Sequence, residues 1–409
     1  MGMSEEQNLI NNSMDTPKNW KWRMFNIVML GIGFLIIYVS YNTTENFMTS
    51  LYGNYGMISL SIIYFSFAVS GFIVPLILRR IGERWCLIVG GFCIIPFLLI
   101  NIFQKSYLLI IFSFFVGFGQ SITWCAQGSL LTRCSKPEKR GRNSGIFFFV
   151  YQLNQTLGNG FAYVMTLSGL DLKYLFIIFS SLCLIGIIPF LFIKMNVLPE
   201  IEKVSLKTDL RSLKKVIVSK KLLLMLPIFI YSGLSQCYIY GEVTAMFGVE
   251  YVSIAMCIFG TTNMITSLIF GKLGDMIGKF IVFVISGFVM VLGLIAINIH
   301  YFLNHIASIP ILLFVAIICI AISDGGFNTQ IDALLGKYFQ FESDAAFSIF
   351  YSVQSLVSGL GFPLFIFLIK IIPLEQWYRL LQSTILVILV GISLVSEFIL
   401  DHKSFETEE

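Results

Sequence analysis

Asp324, Asn328 and Asp332 follow one another at four-residue steps inside an apolar stretch over 308–336. On an α-helix that spacing puts all three on one face. A carboxylate in so apolar a setting binds a cation, cycles a proton, or is hydrogen-bonded to a neighbouring helix. Comparable stripes recur elsewhere. Gln120, Trp124 and Gln127 stand at i, i+4, i+7, and so do Tyr38, Asn42 and Glu45; Ser232, Gln236 and Tyr240 share a face, with Glu242 just beyond. Singly, each amide suits interhelical hydrogen bonding, worth roughly 0.6–2 kcal/mol. Together, the stripes suit the wall of a polar cavity, with Asp324 the most telling residue on it.

What is missing narrows the chemistry. No Lys or Arg sits in the middle of the stretches that carry these stripes, which favours a neutral or cationic solute over an anionic one. His300, His305 and His402 fall in expected loops or the tail, and no nucleophile has a base placed beside it by motif. The eight cysteines show no C-x-x-C spacing and read as small apolar packing residues. No enzyme, metal site or cofactor is expected. Gln152, Asn154, Gln155 and Asn159, beside Gly158 and Gly160, read as packing rather than ligand contacts.

The elements that must position these residues follow from composition. The 409 residues are 57% hydrophobic with 40 phenylalanines, and only 12% are charged, against roughly a quarter in a soluble domain. Lipid is the partner that fits such a surface. About 20 apolar residues are needed to cross a bilayer as a helix. By that measure the chain divides into spans at about 24–46, 56–78, 85–104, 107–132, 145–169 and 174–194, then 222–246, 251–271, 280–299, 308–336, 346–370 and 377–399. The expectation is an all-α membrane protein of twelve transmembrane helices in two six-helix halves: a tail over 1–23, bundles over 24–194 and 222–400, a connector over 195–221, and a tail over 401–409.

Charge tests the count and sets an orientation, because cytoplasmic loops carry the excess of Lys and Arg. Of the 27 basic residues, only Lys105, Lys173, Lys370 and Arg379 fall outside the alternate loops that this scheme places with the termini. Both termini are therefore expected in the cytoplasm. The net charge of +4 reflects those loops, and no nucleic-acid partner is expected. The connector mixes Lys, Glu, Asp and Leu and is too charged to span.

Two loops carry a repeat 196 residues apart. The segment Gly271-Lys272-Leu273-Gly274-Asp275-Met276-Ile277-Gly278-Lys279 resembles the G-x-L-x-D-x-x-G-[RK] signature of the major facilitator superfamily. Its counterpart, from Pro75 to Arg84, keeps Gly82 and the basic character but has Arg79 where the acid should be. Such a loop reverses at glycine and lets an acid pair with bases or helix ends on neighbouring helices. Further segments are similar to the Unc-93-like family, in its branch of major facilitator domain-containing proteins. They are Phe25-Asn26-Ile27, Trp124-Cys125-Ala126-Gln127-Gly128, Arg142-Asn143-Ser144-Gly145-Ile146-Phe147, Phe327-Asn328-Thr329-Gln330, Ala346-Phe347-Ser348-Ile349-Phe350 and Val353-Gln354-Ser355.

The resemblance implies a major facilitator fold whose first, fourth, seventh and tenth helices line a central cavity, and a latch at Gly271, Asp275, Gly278, Lys279 and Gly82. It also implies one of two roles. One is a carrier working by alternating access, with Asp324 coupling an ion. The other is a non-transporting regulator of a potassium channel or escort of a receptor, which would depend on a membrane-protein partner.

Overall fold

The computed structural model describes residues 17–52, 54–103, 105–168, 171–198, 214–303 and 311–402. The tails at 1–16 and 403–409, connector residues 199–213 and the loop at 304–310 with His305 lie outside the described residues. Twelve long helices form among the described residues. The first six are α1 (Pro17–Tyr52), α2 (Asn54–Ser70), α3 (Val74–Phe103), α4 (Ser106–Cys134), α5 (Arg140–Leu167) and α6 (Leu172–Leu191). The second six are α7 (Lys220–Cys237), α8 (Thr244–Ile277), α9 (Lys279–Phe302), α10 (Ile311–Tyr338), α11 (Ser343–Ile371) and α12 (Glu375–His402). A six-residue π turn, Tyr238–Val243, joins α7 to α8, so no loop separates them.

Among the described residues, ten stretches are apolar and long enough to cross a membrane. The two helices that fall short do so for different reasons. A turn at 71–73 interrupts α2 before it reaches the length of a span, and its course resumes as 74–81, the first part of α3. In α5 the amides Gln152, Asn154, Gln155 and Asn159 dilute the apolar run, and three of them prove to be spent on other helices, as described below.

Packing repeats with a step of six. Helix α1 packs on α5 and α6 as α7 packs on α11 and α12; α3 packs on α4 and α6 as α9 packs on α10 and α12; and α2 packs on α4 as α8 does on α10. Between the halves, α5 lies along α8 and α2 along α11. Large apolar side chains such as Phe92, Phe103, Phe288 and Phe367 point outward, which is costly in water and appropriate to lipid.

The two sequence-repeat loops share a backbone. Gly82 (φ 79°, ψ 162°) breaks α3, and Gly278 (φ 99°, ψ 147°) separates α8 from α9. They are the positive-φ glycines among the described residues, and a Cβ at either would meet nothing within 4 Å. Glycine is needed there for its backbone freedom rather than for space. These loops, with the start of α5 and the end of α10, define a basic end of the molecule.

Candidate functional site

A cavity of about 110 Å³ lies at the junction of the halves. From α1 it is lined by Tyr38, Asn42 and Glu45, from α4 by Gln120 and Trp124, from α7 by Ser232 and Gln236, and from the π turn by Tyr240. Helix α10 contributes Asp324, Asn328 and Asp332. Asp324 and Asp332 are two turns apart, about 12 Å along the axis. No lysine or arginine is among the described residues that line the cavity.

Each carboxylate is held differently. Asp324 accepts from the Asn263 amide of α8 at 2.7 Å. Glu45 accepts from the Tyr41 hydroxyl at 3.3 Å. Asp332, only 4% exposed, accepts from Gln127 Nε2 at 3.3 Å, while Gln127 Oε1 accepts from the Tyr351 hydroxyl at 3.1 Å. Gln127 therefore stands outside the lining, its amide spent on joining α4 to α10 and α11. With the Ser348 hydroxyl against Cys125 Sγ (3.1 Å) and Phe347 packed on Gly128, it makes a floor between the halves toward the basic end.

Aromatic rings form the upper wall of that floor. Trp124 meets Tyr38, Tyr151 and Tyr351 at centroid distances of 5.5, 5.2 and 5.5 Å. Sequence reasoning from the four expected cavity helices did not reach Tyr64 of α2, Tyr151 and Gln152 of α5, or Tyr351 and Gln354 of α11, all of which line the cavity. The amide Gln354, within the Val353-Gln354-Ser355 segment, was the available signal; it donates to Ser232 Oγ at 2.7 Å. Elsewhere on α5 the amides cross to other helices: Asn154 Oδ1 accepts from Asn42 at 2.9 Å, Gln155 donates to the Tyr240 hydroxyl at 3.5 Å, and Asn159 Oδ1 accepts from Asn46 at 3.2 Å.

The latch residues sit at the basic end, away from the cavity. The Asp275 carboxylate accepts from the backbone N–H groups of Gly141 and Arg142, at 3.0 and 2.8 Å, and lies 3.6 Å from Lys279 Nζ. An acid from the second half thus caps the N-terminus of α5 in the first, where unpaired N–H groups and the helix dipole favour negative charge. Beside it Gly271 and Gly145 let the two backbones touch: a Cβ on Gly145 would lie 3.2 Å from the Gly271 Cα. The close approach explains why both must be glycine. Burial pushes the nearby Arg140 guanidinium down to about 10, with Glu138 opposing.

At the first loop the charges are reversed. Arg79, Gly82 and Glu83 occupy the places of Asp275, Gly278 and Lys279. Glu83, fully buried, pairs with Arg133 and accepts from Ser129 Oγ at 3.2 Å, both on α4 of its own half. The acid remains in the loop but turns inward. Neutralising Asp275 as Asp275→Asn should weaken the cap by about 1–2 kcal/mol. Hydrogen–deuterium exchange should then quicken at the Gly141 and Arg142 amides and not at the far end of α5; unchanged exchange would refute the role of the cap.

Among the described residues no group of three His, Cys, Asp or Glu is gathered closely enough to hold a metal ion.

The helix order, the packing repeated with a step of six, and a polar cavity between the halves define a multi-pass membrane protein of the major facilitator fold. A solved proton:xylose symporter of the major facilitator superfamily, bound to 6-bromo-6-deoxy-D-glucose, superposes with a TM-score of 0.75 at 12% identity, over 94% of this chain and 96% of that one. An E. coli fucose:proton symporter gives 0.65 at 12% identity, over 90% and 98%. The chain belongs to the UNC-93 family: the family described as "Ion channel regulatory protein UNC-93" matches residues 47–395. Similar proteins include UNC93-like protein 3 of Arabidopsis thaliana, 27% identical over 79% of this chain and 76% of the relative. Protein unc-93 homolog A of Bos taurus is 25% identical over 79% and 83%, and UNC93-like protein MFSD11 of Xenopus tropicalis is 24% identical over 83% and 89%.

Proposed function

We propose that the protein is a secondary transporter of a small neutral or cationic solute, working by alternating access with both termini in the cytoplasm, and not an enzyme. The observation that carries this reading is the cavity itself: three carboxylates, Glu45, Asp324 and Asp332, at the junction of two like bundles, with no basic residue in the lining. Carboxylates in a membrane interior are costly, and those that face a cavity mark the paths of ions, protons or substrates. The halves rock about this site, and Asp324, facing the cavity, couples an ion or holds the solute.

Reconstituted in vesicles, the protein should take up a solute from a neutral and cationic panel. Asp324→Asn should lower that uptake by about tenfold or more while leaving expression and melting intact. Full uptake in the variant would remove Asp324 from the mechanism.

A second reading has one observation in its favour, the family's description as ion channel regulatory proteins. In it the same fold binds a channel or receptor in the bilayer and transports nothing. Copurification of one specific membrane protein, unaffected by Asp324→Asn and accompanied by no uptake of any solute, would favour it.

A further inference from the structure

We propose that the cavity binds a protonated organic amine that also carries a hydroxyl or carbonyl oxygen, the ammonium group at Asp324 and the oxygen on the side-chain N–H of Gln120. The inference deepens the carrier reading and rests on it for its physiological sense, but it concerns binding alone.

The Gln120 amide has one orientation. Its Oε1 accepts from Trp124 Nε1 at 3.1 Å and from the Tyr38 hydroxyl. An indole N–H can only donate, so the oxygen must face it and the nitrogen must face away. That nitrogen, on a side chain 3% exposed, has no hydrogen-bond partner, although Gln120 lines the cavity. A buried donor left unpaired costs about 1–3 kcal/mol. A ligand oxygen would satisfy it. Gln152, a residue 4% exposed that lines the same cavity, has an Oε1 acceptor without a partner, suited to an N–H or O–H of the same ligand.

The charge asks for a cation. Asp324 receives its hydrogen bond from the neutral Asn263 amide, and none of the three lining carboxylates has a basic residue beside it in the lining. Tyr151 and Tyr240 line the same cavity as Glu45 and Asp324, so the acids of the two halves face one space that also holds aromatic rings. Carboxylate and aromatic ring together attract an alkylammonium group, whose carbon chain the rings accommodate. A bare metal ion would leave the rings and the Gln120 donor unused. A sugar would use the amides but leave the acids without a counter-charge.

The test is binding to the purified full chain in detergent, read as thermal stabilisation and confirmed by calorimetry. The probes are matched sets: tyramine, phenethylamine and tyrosol, and 3-amino-1-propanol, propylamine and 1,3-propanediol. A ligand that prefers the folded state raises its stability by mass action. The hydroxylated amine of a set should bind about tenfold more tightly than its deoxygenated or deaminated partner. Asp324→Asn should abolish the advantage of the amine over the alcohol. Gln120→Glu keeps the acceptor for Trp124 and Tyr38 but removes the donor; it should abolish the advantage of the hydroxyl while amine binding persists. Binding of neutral polyols or sugars in preference to amines would overturn this inference and leave the carrier reading standing. No binding by any small solute, with a specific membrane protein copurifying, would overturn both.

Discussion

Replacing Arg133 with methionine will destabilise the protein by about 3–5 kcal/mol, because it strands the Glu83 carboxylate in the interior without its counter-charge. Glu83 is fully buried beside the helix break at Gly82, and its remaining neutral support is the Ser129 hydroxyl at 3.2 Å. Its second oxygen already lacks a partner, so no alternative donor stands ready. The sign of the effect is diagnostic in a cycle. Arg133→Met combined with Glu83→Leu should recover most of the loss, since a buried ion pair replaced as a unit by apolar groups is often neutral. Melting in detergent measures both. A single variant that melts like the parent, or a double variant no better than the single, would mean that the pair does not hold α3 to α4.

The second large effect is expected at the crossing of α5 and α8. Gly145→Leu puts a branched side chain where a Cβ alone would already lie 3.2 Å from the Gly271 Cα and 3.3 Å from the Leu268 Cα. Backbone cannot yield as a side chain does, so the helices must part at the basic end. Overpacking of this kind costs about 1–3 kcal/mol. If the closed arrangement alone bears the cost, the population shifts by roughly five- to 150-fold toward a form open at that end. Cysteines placed on the floor beside Gln127 should then become reactive to a water-soluble reagent, and solute uptake should fall. Labelling and uptake both equal to the parent's would show that this crossing does not control access.

Much of the fold was legible in the sequence because the bilayer imposes two rules that act locally: a length for apolar helices and an alternation of basic loops. The stripes on α1, α4, α7 and α10 were legible for a similar reason. A polar residue every fourth position in a greasy helix marks a face, and Tyr38, Gln120, Gln236 and Asp324 do come to one cavity. Helix periodicity does not say which stripes meet. Tyr64, Tyr151 and Tyr351 resemble any apolar aromatic in sequence, and they reach the cavity only because the halves pack α2 on α11 and α5 on α8. Gln127 shares the stripe of Gln120, yet a neighbour 205 residues away claims its amide. The Glu83 pair was hidden because the loop was read by the position of its missing acid, whereas the acid lies four residues on.

Under the carrier reading proposed above, the reversal of charge at the two glycine breaks bears on how the halves would move. Two bundles of like packing would be expected to share the work of opening between two equivalent joints. Here one joint, at Gly278, reaches across to the other bundle through Asp275, and the other, at Gly82, is tied inside its own bundle through Glu83. The wall of α5 and α8 is therefore fastened by a charged cap that runs from one bundle to the other. At the wall of α2 and α11 the contact is steric instead, with Gly71 resting against Ser352.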